Sequence, residues 1–248
     1  MGLIMRPLLE VNDFHFYYED IHMVKGLNFH VNQGEIVTII GAKGTGKTTT
    51  LRTISGLTKV AGIRGEIVFD GKRIDKMLGN KIIALGLGQA PQDRHVFDNL
   101  TVRENLIIGA LVRKNKMNIQ GDLEYAYSLI PKLLDLQKHF AGELSSGHRQ
   151  MLAIGRAIIG RPKMILLDEP SLGLHPIISK EIYEIIKEIN RQGTTILFAE
   201  QNSKIALATA LRGYVFHNGE ITLHDTCENL AVNEEVKKLI CANDNGYS

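Results

Sequence analysis

At 248 residues the chain is long enough for a substantial core and sits at the upper end for one domain. Hydrophobic content of 44% with 23% charged residues is ordinary for a soluble globular protein, and a formal net charge of +2 gives no bulk case for nucleic acid or an anionic membrane surface. Two cysteines, Cys227 and Cys241, make neither a metal spacing nor a disulfide framework, which favours a reducing, cytosolic compartment; the nine histidines show no HExxH-type pattern.

The N-terminal run MGLIMRPLLEV has no apolar core long enough for a signal peptide, and Arg6 stands where a myristoylation motif takes Ser or Thr. Leu106 to Val112, the longest fully apolar stretch, falls far short of the ~20 residues that span a bilayer. The expectation is a chain with no transmembrane segment of its own. Residues 8–40 read as strands: Phe14, Phe16 and Tyr18 alternate, as do Leu27, Phe29 and Val31, with Asn32-Gln33-Gly34 as a turn. Phe14 and Phe16 fit a core. Tyr18, where the strand gives way to Glu19-Asp20, fits an exposed ring that stacks on a base.

The β-branched run Ile36 to Ile40 then meets Gly41-Ala42-Lys43-Gly44-Thr45-Gly46-Lys47-Thr48-Thr49-Thr50, followed by a helix-compatible segment from Thr48 to Ile54. A strand, a Gly-rich turn and a helix start are what a phosphate-binding loop needs. Gly41, Gly44 and Gly46 free the backbone to point successive N–H groups at one anion, and the helix start adds its positive dipole end. Lys47 brings a point charge for β- and γ-phosphates, and the Thr48 hydroxyl is placed to hold Mg²⁺.

Gly65 to Lys72 reads as a strand ending in an Asp-Gly hairpin turn, and Ile82 to Gly88 as an apolar run leading into Gln89-Ala90-Pro91-Gln92. Thr101-Val102-Arg103-Glu104 is a capping box opening a helix, residues 101–143 look mostly helical, and the basic run Arg113-Lys114-Asn115-Lys116 reads as a solvated loop. His148 to Gly160 is helical with its stop at Gly160-Arg161-Pro162. Met164 to Leu167 is a strand buried on both faces, Ile177 to Arg191 an amphipathic helix, and Thr194 to Ala199 a second buried strand. Gly213 to Leu223 forms a hairpin about Asn218-Gly219, and Asn233 to Cys241 a closing helix. The alternation predicts one doubly wound α/β core with an antiparallel flap and a helical insertion.

Asp168-Glu169 ends the run Met164 to Leu167, and ligands of open parallel sheets gather at the carboxyl ends of strands. One carboxylate can hold Mg²⁺ through its water shell, and the other, kept off the metal, can orient or deprotonate an attacking water. The alternative is that the acidic pair merely caps a following helix.

The set GAKGTGKTT, APQDRHVFDNLTVRENL, ELSSGHRQMLAIGRAII, ILLDEPSLGL and ILFAEQN, in that order, resembles the ATP-binding cassette (ABC) ATPases of transporters, and more narrowly the LivF type of branched-chain amino-acid uptake subunits. The resemblance covers essentially the whole chain, and ELSSGHRQ corresponds to the family signature. It implies an α/β P-loop NTPase of the ABC type: a mixed parallel sheet core, an antiparallel β subdomain and a helical subdomain at about residues 93–155, all within one nucleotide-binding domain. It also implies head-to-tail pairs, as homodimer or with a sister ATPase, holding two ATPs between chains and working with transmembrane permease subunits at the cytoplasmic face of the inner membrane. By the same resemblance Gly41, Lys43, Gly44, Thr45, Gly46, Lys47, Thr48 and Thr49 hold phosphates and Tyr18 stacks on adenine. Gln92 senses Mg²⁺ and water while facing the membrane partner, Asp168 anchors Mg²⁺, and Glu169 is the catalytic base. Ser145 and Gly147 reach the partner's γ-phosphate, and Gln201 takes the place of a switch histidine.

Lys43 replaces a common asparagine, Ser146 the first glycine of the signature pair, and His148 its usual glutamate or glutamine. A Cβ at 146 costs little at negative φ and much at positive φ. These changes make the signature the weaker half and keep a second class open: an ATP-dependent clamp that dimerises but hardly turns over. A kinase has no use for ELSSGHRQ, and a DNA-repair cassette ATPase would need long heptad arms that are missing here.

Overall fold

The computed structural model describes residues 7–58, 62–111 and 118–238; the basic run at 113–116 and Cys241 lie outside them. In chain order the strands are β1 (Pro7–Tyr18), β2 (Ile21–Asn32), β3 (Ile36–Ile40), β4 (Ile63–Phe69), β5 (Lys72–Arg73), β6 (Leu87–Ala90), β7 (Met164–Asp168), β8 (Thr195–Glu200), β9 (Arg212–His217) and β10 (Glu220–Thr226). The helices are α1 (Lys47–Ile54), α2 (Gly79–Ala84), α3 (Val102–Ala110), α4 (Ile119–Leu129), α5 (Pro131–Asp135), α6 (Ser146–Ile158), α7 (Pro176–Arg191), α8 (Ser203–Thr209) and α9 (Cys227–Val232). Contacts divide the chain into two units, residues 1–82 with 197–248, and residues 83–196. No described helix is long and apolar enough to cross a membrane.

In the first unit an antiparallel sheet runs β2-β1-β4-β5. The expected alternation buries Phe14 and Phe16 on β1 and Leu27, Phe29 and Val31 on β2. Leu9 and Val11 are also buried, although they have the opposite parity to Phe14. The ladder reconciles the two sets by a register shift between Val11 and Phe14, where Asp13 takes φ 46°. One extra residue in a bulge flips the face of everything after it. Asp70-Gly71 and Asn218-Gly219 close their hairpins with positive φ at both central positions, as predicted for these dipeptides.

β3 lies parallel to β9, which pairs antiparallel with β10. Arg212 on β9 reaches Glu35 at 2.8 Å and the His30 carbonyl at 2.6 Å, and Tyr214 Oη donates to that same carbonyl. This network ties β9 and the segment just before β3 to β2. The closing helix is present at 234–238, and the rest of its expected span lies outside the described residues. The sequence reading did not anticipate α8 and α9: both are short, seven and six residues, and are opened by polar caps, Asn202 and Thr226.

In the second unit β6 and β7 pair in parallel, and β7 is buried along its whole length, as a strand covered on both faces must be. The apolar run 82–88 is not one strand: its start completes α2, and β6 begins only at Leu87. Thr101 and Glu104 form the expected capping box, with Glu104 N–H donating to Thr101 Oγ1 and Thr101 N–H to the carboxylate. Just after it, fully buried Asn105 accepts from Phe97 N–H and donates to the Phe97, Leu100 and Thr101 carbonyls. α3 and α6 approach closely through Gly109 and Gly155: a Cβ on Gly109 would lie 2.6 Å from the Arg156 carbonyl oxygen.

Candidate functional site

The loop from Gly41 to Gly46 is built the way its residue types require. Gly44 and Gly46 take φ of 83° and 99°, and Gly46 is the left-handed cap of α1 with no side-chain capping bond. At Gly41 the reason is space: a Cβ there would overlap the Phe216 carbonyl oxygen. Thr45 Oγ1 donates to the Ala42 carbonyl at 2.9 Å, and Thr50 N–H begins the helix on the Gly46 carbonyl. Lys47 is only 3% exposed; its ammonium donates to the Gly41 and Ala42 carbonyls at 2.7 and 3.0 Å, curling the loop about its own cation. No acidic residue stands in the first turn of α1 to compete for an anion. The donor set of backbone N–H groups, an ammonium and a hydroxyl suits a polyphosphate. Thr48 is partly exposed and Thr49 buried, whereas Lys43 is exposed, on the surface side of the loop.

Tyr18 closes β1 with a ring 46% exposed, its edge packed on Phe16 at a 4.8 Å centroid distance. Gln201 follows β8. Buried Glu200 accepts from the Gln201 and Asn202 N–H groups at 2.9 and 3.1 Å, and Asn202 caps α8. Glu200 therefore shapes the turn that presents Gln201, a role the sequence reading missed because an acid at a strand end gives no signal of which way its carboxylate turns.

In the second unit Asp168 and Glu169 are 2% and 3% exposed. Asp168 ends β7, and Glu169 takes the left-handed conformation at φ 50°. The next helix, α7, starts at Pro176 and is capped by His175, so the acidic pair caps no helix. Two turns follow the pair, Leu172 N–H donating to the Glu169 carbonyl and Leu174 N–H to that of Ser171.

Gln92 lies half-buried in a turn closed by Arg94 N–H on the Pro91 carbonyl at 3.1 Å. Arg94 takes φ 59° and extends its guanidinium to the Leu172 carbonyl at 2.6 Å and to Gln150 Oε1 at 3.1 Å. Burial, and then Arg149, hold the Arg94 pKa below its ordinary value. This side chain was also missed, since neither the left-handed backbone of Arg94 nor its partner 78 residues away is written in the local sequence.

Ser145 is the exposed N-cap of α6, accepting from His148 N–H at 3.3 Å. Gly147 is buried, and a Cβ there would lie 2.6 Å from Ile178 Cγ2. Ser146 is exposed, opens the helix and has no positive φ. Its substitution for glycine therefore places no residue in strain, and the backbone argument for a weakened signature fails. Arg149 braces the segment ahead of the helix, donating to the Leu144 and Gly142 carbonyls and to Asp98.

Beside the Gln92 turn a cavity of about 530 Å³ is lined by Gln89, Arg94, His95, Arg156, Arg161 and Lys163 together with apolar residues, and among the described residues no carboxylate lines it. Arg156 stacks over Phe97 at 4.7 Å and donates to the His95 carbonyl. Among the described residues, no group of three His, Cys, Asp or Glu side chains could hold a metal ion by itself.

The family model described as "ABC transporter" matches residues 24–172. The branched-chain amino acid transport ATP-binding protein BraG of Pseudomonas aeruginosa is 41% identical over 89% of this chain and 94% of its own length. The probable LivF of Archaeoglobus fulgidus is 32% identical over 90% and 93%, and the lipopolysaccharide export ATP-binding protein LptB of Haemophilus influenzae 33% over 90% and 92%. Among solved structures, the ADP conformation of an ATP-binding cassette of an ABC transporter superposes with a TM-score of 0.81 at 27% identity, covering 95% of this chain and 99% of that one. The glycine cradle with its buried lysine, the buried acidic strand end and these likenesses agree: the chain belongs to the ABC transporter family and is an ATPase subunit of the ATP-binding cassette type.

Proposed function

We propose that this chain powers uptake of branched-chain amino acids as the ATP-hydrolysing subunit of a membrane transporter, pairing with a second cassette and docking on transmembrane permease subunits at the cytoplasmic face. The likeness to BraG over nine-tenths of the chain supports the substrate class, while the 33% likeness to LptB shows that a relative of similar length serves export. The observation that carries the ATPase part is the loop 41–49 curled about the buried Lys47 ammonium.

In this reading the backbone of Gly41 to Thr49 and the Lys47 ammonium hold the phosphates, with Lys43 and Thr45 at the loop's margin, and Tyr18 stacks on the adenine. Thr48, Gln92 and Asp168 would hold Mg²⁺, whose charge would offset that of the phosphates. Glu169 takes the proton of the attacking water, and Gln201 orients the γ-phosphate side. Ser145 and Gly147 serve the nucleotide of the paired chain. Residues 93–155 act as the helical subdomain of a single nucleotide-binding domain. The clamp reading loses the support of Ser146, whose backbone is unstrained.

The test is reconstitution with the permease subunits that co-purify from the source membrane. Leucine, isoleucine or valine uptake should depend on Mg-ATP, and phosphate release should rise when the permease is present. Nucleotide binding without phosphate release in the assembled transporter would favour the clamp; ATP-driven outward movement would overturn uptake.

A further inference from the structure

Three segments of the second unit that carry proposed ATPase residues meet at one side chain. The turn Pro91–Arg94 holds Gln92, α6 carries the signature at its start, and the turn beginning at Glu169 follows the acidic pair. Arg94 bonds to all three: its own N–H closes the first turn at 3.1 Å, its Nε donates to Gln150 on α6 at 3.1 Å, and its terminal nitrogen donates to the Leu172 carbonyl at 2.6 Å. Leu172 is itself bonded back to Glu169, its N–H donating to the Glu169 carbonyl. Gln150 is 1% exposed while Arg94 and Leu172 are half-buried, so the strut is anchored in the interior at its Gln150 end.

The backbone at Arg94 argues for purpose. A non-glycine residue at φ 59° is in a sparsely populated conformation that persists only where its surroundings over-determine it. Glu169 is held in the same region at φ 50°. Two residues in this uncommon conformation are thus joined through the Arg94 guanidinium and the backbone of Leu172, whose carbonyl accepts from one and whose N–H donates to the carbonyl of the other. A fork of planar donors suits two acceptors in different directions, which a single ammonium cannot serve in the same way.

We infer that Arg94 is a positioning residue for hydrolysis, coupling the turn that carries Gln92 to the turn that carries Glu169. The inference rests on the ATPase reading and adds to it a residue that touches neither nucleotide nor metal. Through it, displacement of the Gln92 turn shifts the Leu172 carbonyl, and with it the backbone that aims the Glu169 carboxylate.

The experiment compares the full-length protein with Arg94→Met and Arg94→Lys, measuring Mg-ATP hydrolysis at saturating nucleotide, KM, and amide hydrogen exchange at residues 169–174. Both variants should lose about tenfold or more in kcat, the scale set by small misplacements of catalytic groups, with KM within about twofold of wild type. Lysine should give no rescue, and exchange at Leu172 should quicken. A folded Arg94→Lys protein with wild-type kcat and wild-type exchange overturns the inference, and it decides the matter if Arg94→Met does not fold. If the wild type itself binds nucleotide but releases no phosphate, the ATPase reading fails, while unchanged exchange at 169–174 still counts against Arg94 independently.

Discussion

Ser146 carries a Cβ where the family commonly has glycine, and its effect depends on backbone conformation. It opens α6 without a positive φ and faces solvent, so the added atoms meet no strain. Ser146→Gly should therefore change ATP turnover by less than about twofold, as expected of an exposed site free of special backbone needs; a severalfold gain in phosphate release would show that the serine impedes the signature. Cys227 illustrates burial acting on chemistry. Its thiol is pushed up to about 12 by desolvation alone, so roughly one molecule in ten thousand is thiolate at pH 8. Iodoacetamide should label Cys227 only as the protein unfolds, and prompt labelling of the native protein, read by mass spectrometry of the 227 peptide, would contradict its burial. Lys47, Asp168 and Glu169 could be read from the sequence because their spacing to glycines and apolar runs is local. Arg94 and Glu200 could not, because their meaning lies in a carbonyl 78 residues away and in a carboxylate that folds back on the next two amides.

Among the elements, the ones found from the sequence are those whose signal is periodic or carried by a dipeptide. The capping box at Thr101, the Asp-Gly and Asn-Gly hairpins and the strand carrying the apolar run Met164 to Leu167 all formed where expected. The apolar run 82–88 left its element type open because a short apolar run has no period of its own, and the stretch divides between α2 and β6. The bulge at Asp13 was invisible for a related reason: alternation before and after it is intact, and only the parity changes. The brace from β9 to the segment before β3 yields a pH prediction. Burial alone would raise the Glu35 pKa, but hydrogen bonds from Arg212 and Asn32 outweigh it and hold the carboxyl below its ordinary 4.5. A group with a depressed folded pKa adds stability that is complete above the unfolded value and fades as pH falls through the folded one. Thermal stability should thus be insensitive to Glu35 between pH 5 and 7 and decline below about 4.5. Glu35→Gln should lower stability by about 2 kcal/mol at pH 7, in keeping with lost charge-assisted hydrogen bonds, and flatten the acid decline. Equal acid sensitivity in the variant and the wild type would refute the assignment.

At the scale of the molecule, the proposed machinery is divided between the two contact units. Tyr18, the phosphate loop and Gln201 belong to the unit formed by residues 1–82 and 197–248; Gln92, Ser145, Gly147, Asp168 and Glu169 belong to residues 83–196. The sequence reading assigned the grip on phosphate to amides and a cation and its cleavage to carboxylates, and divided neither task between parts of the chain. It gave no sign that the chain leaves the first unit near residue 82 and returns to it near 197, because both crossings fall inside regular elements, α2 and β8. Binding and cleavage should accordingly fail separately. The most direct measurement is calorimetric titration of Mg-ATP into the wild type, Lys47→Ala and Glu169→Gln, with phosphate release followed on the same samples. The account predicts that Lys47→Ala binds at least about a hundredfold more weakly, the loss of a buried cation from a charge-assisted phosphate site, and that Glu169→Gln binds like the wild type yet releases phosphate at least about a hundredfold more slowly. Undiminished binding by Lys47→Ala, or normal phosphate release by Glu169→Gln, would contradict it.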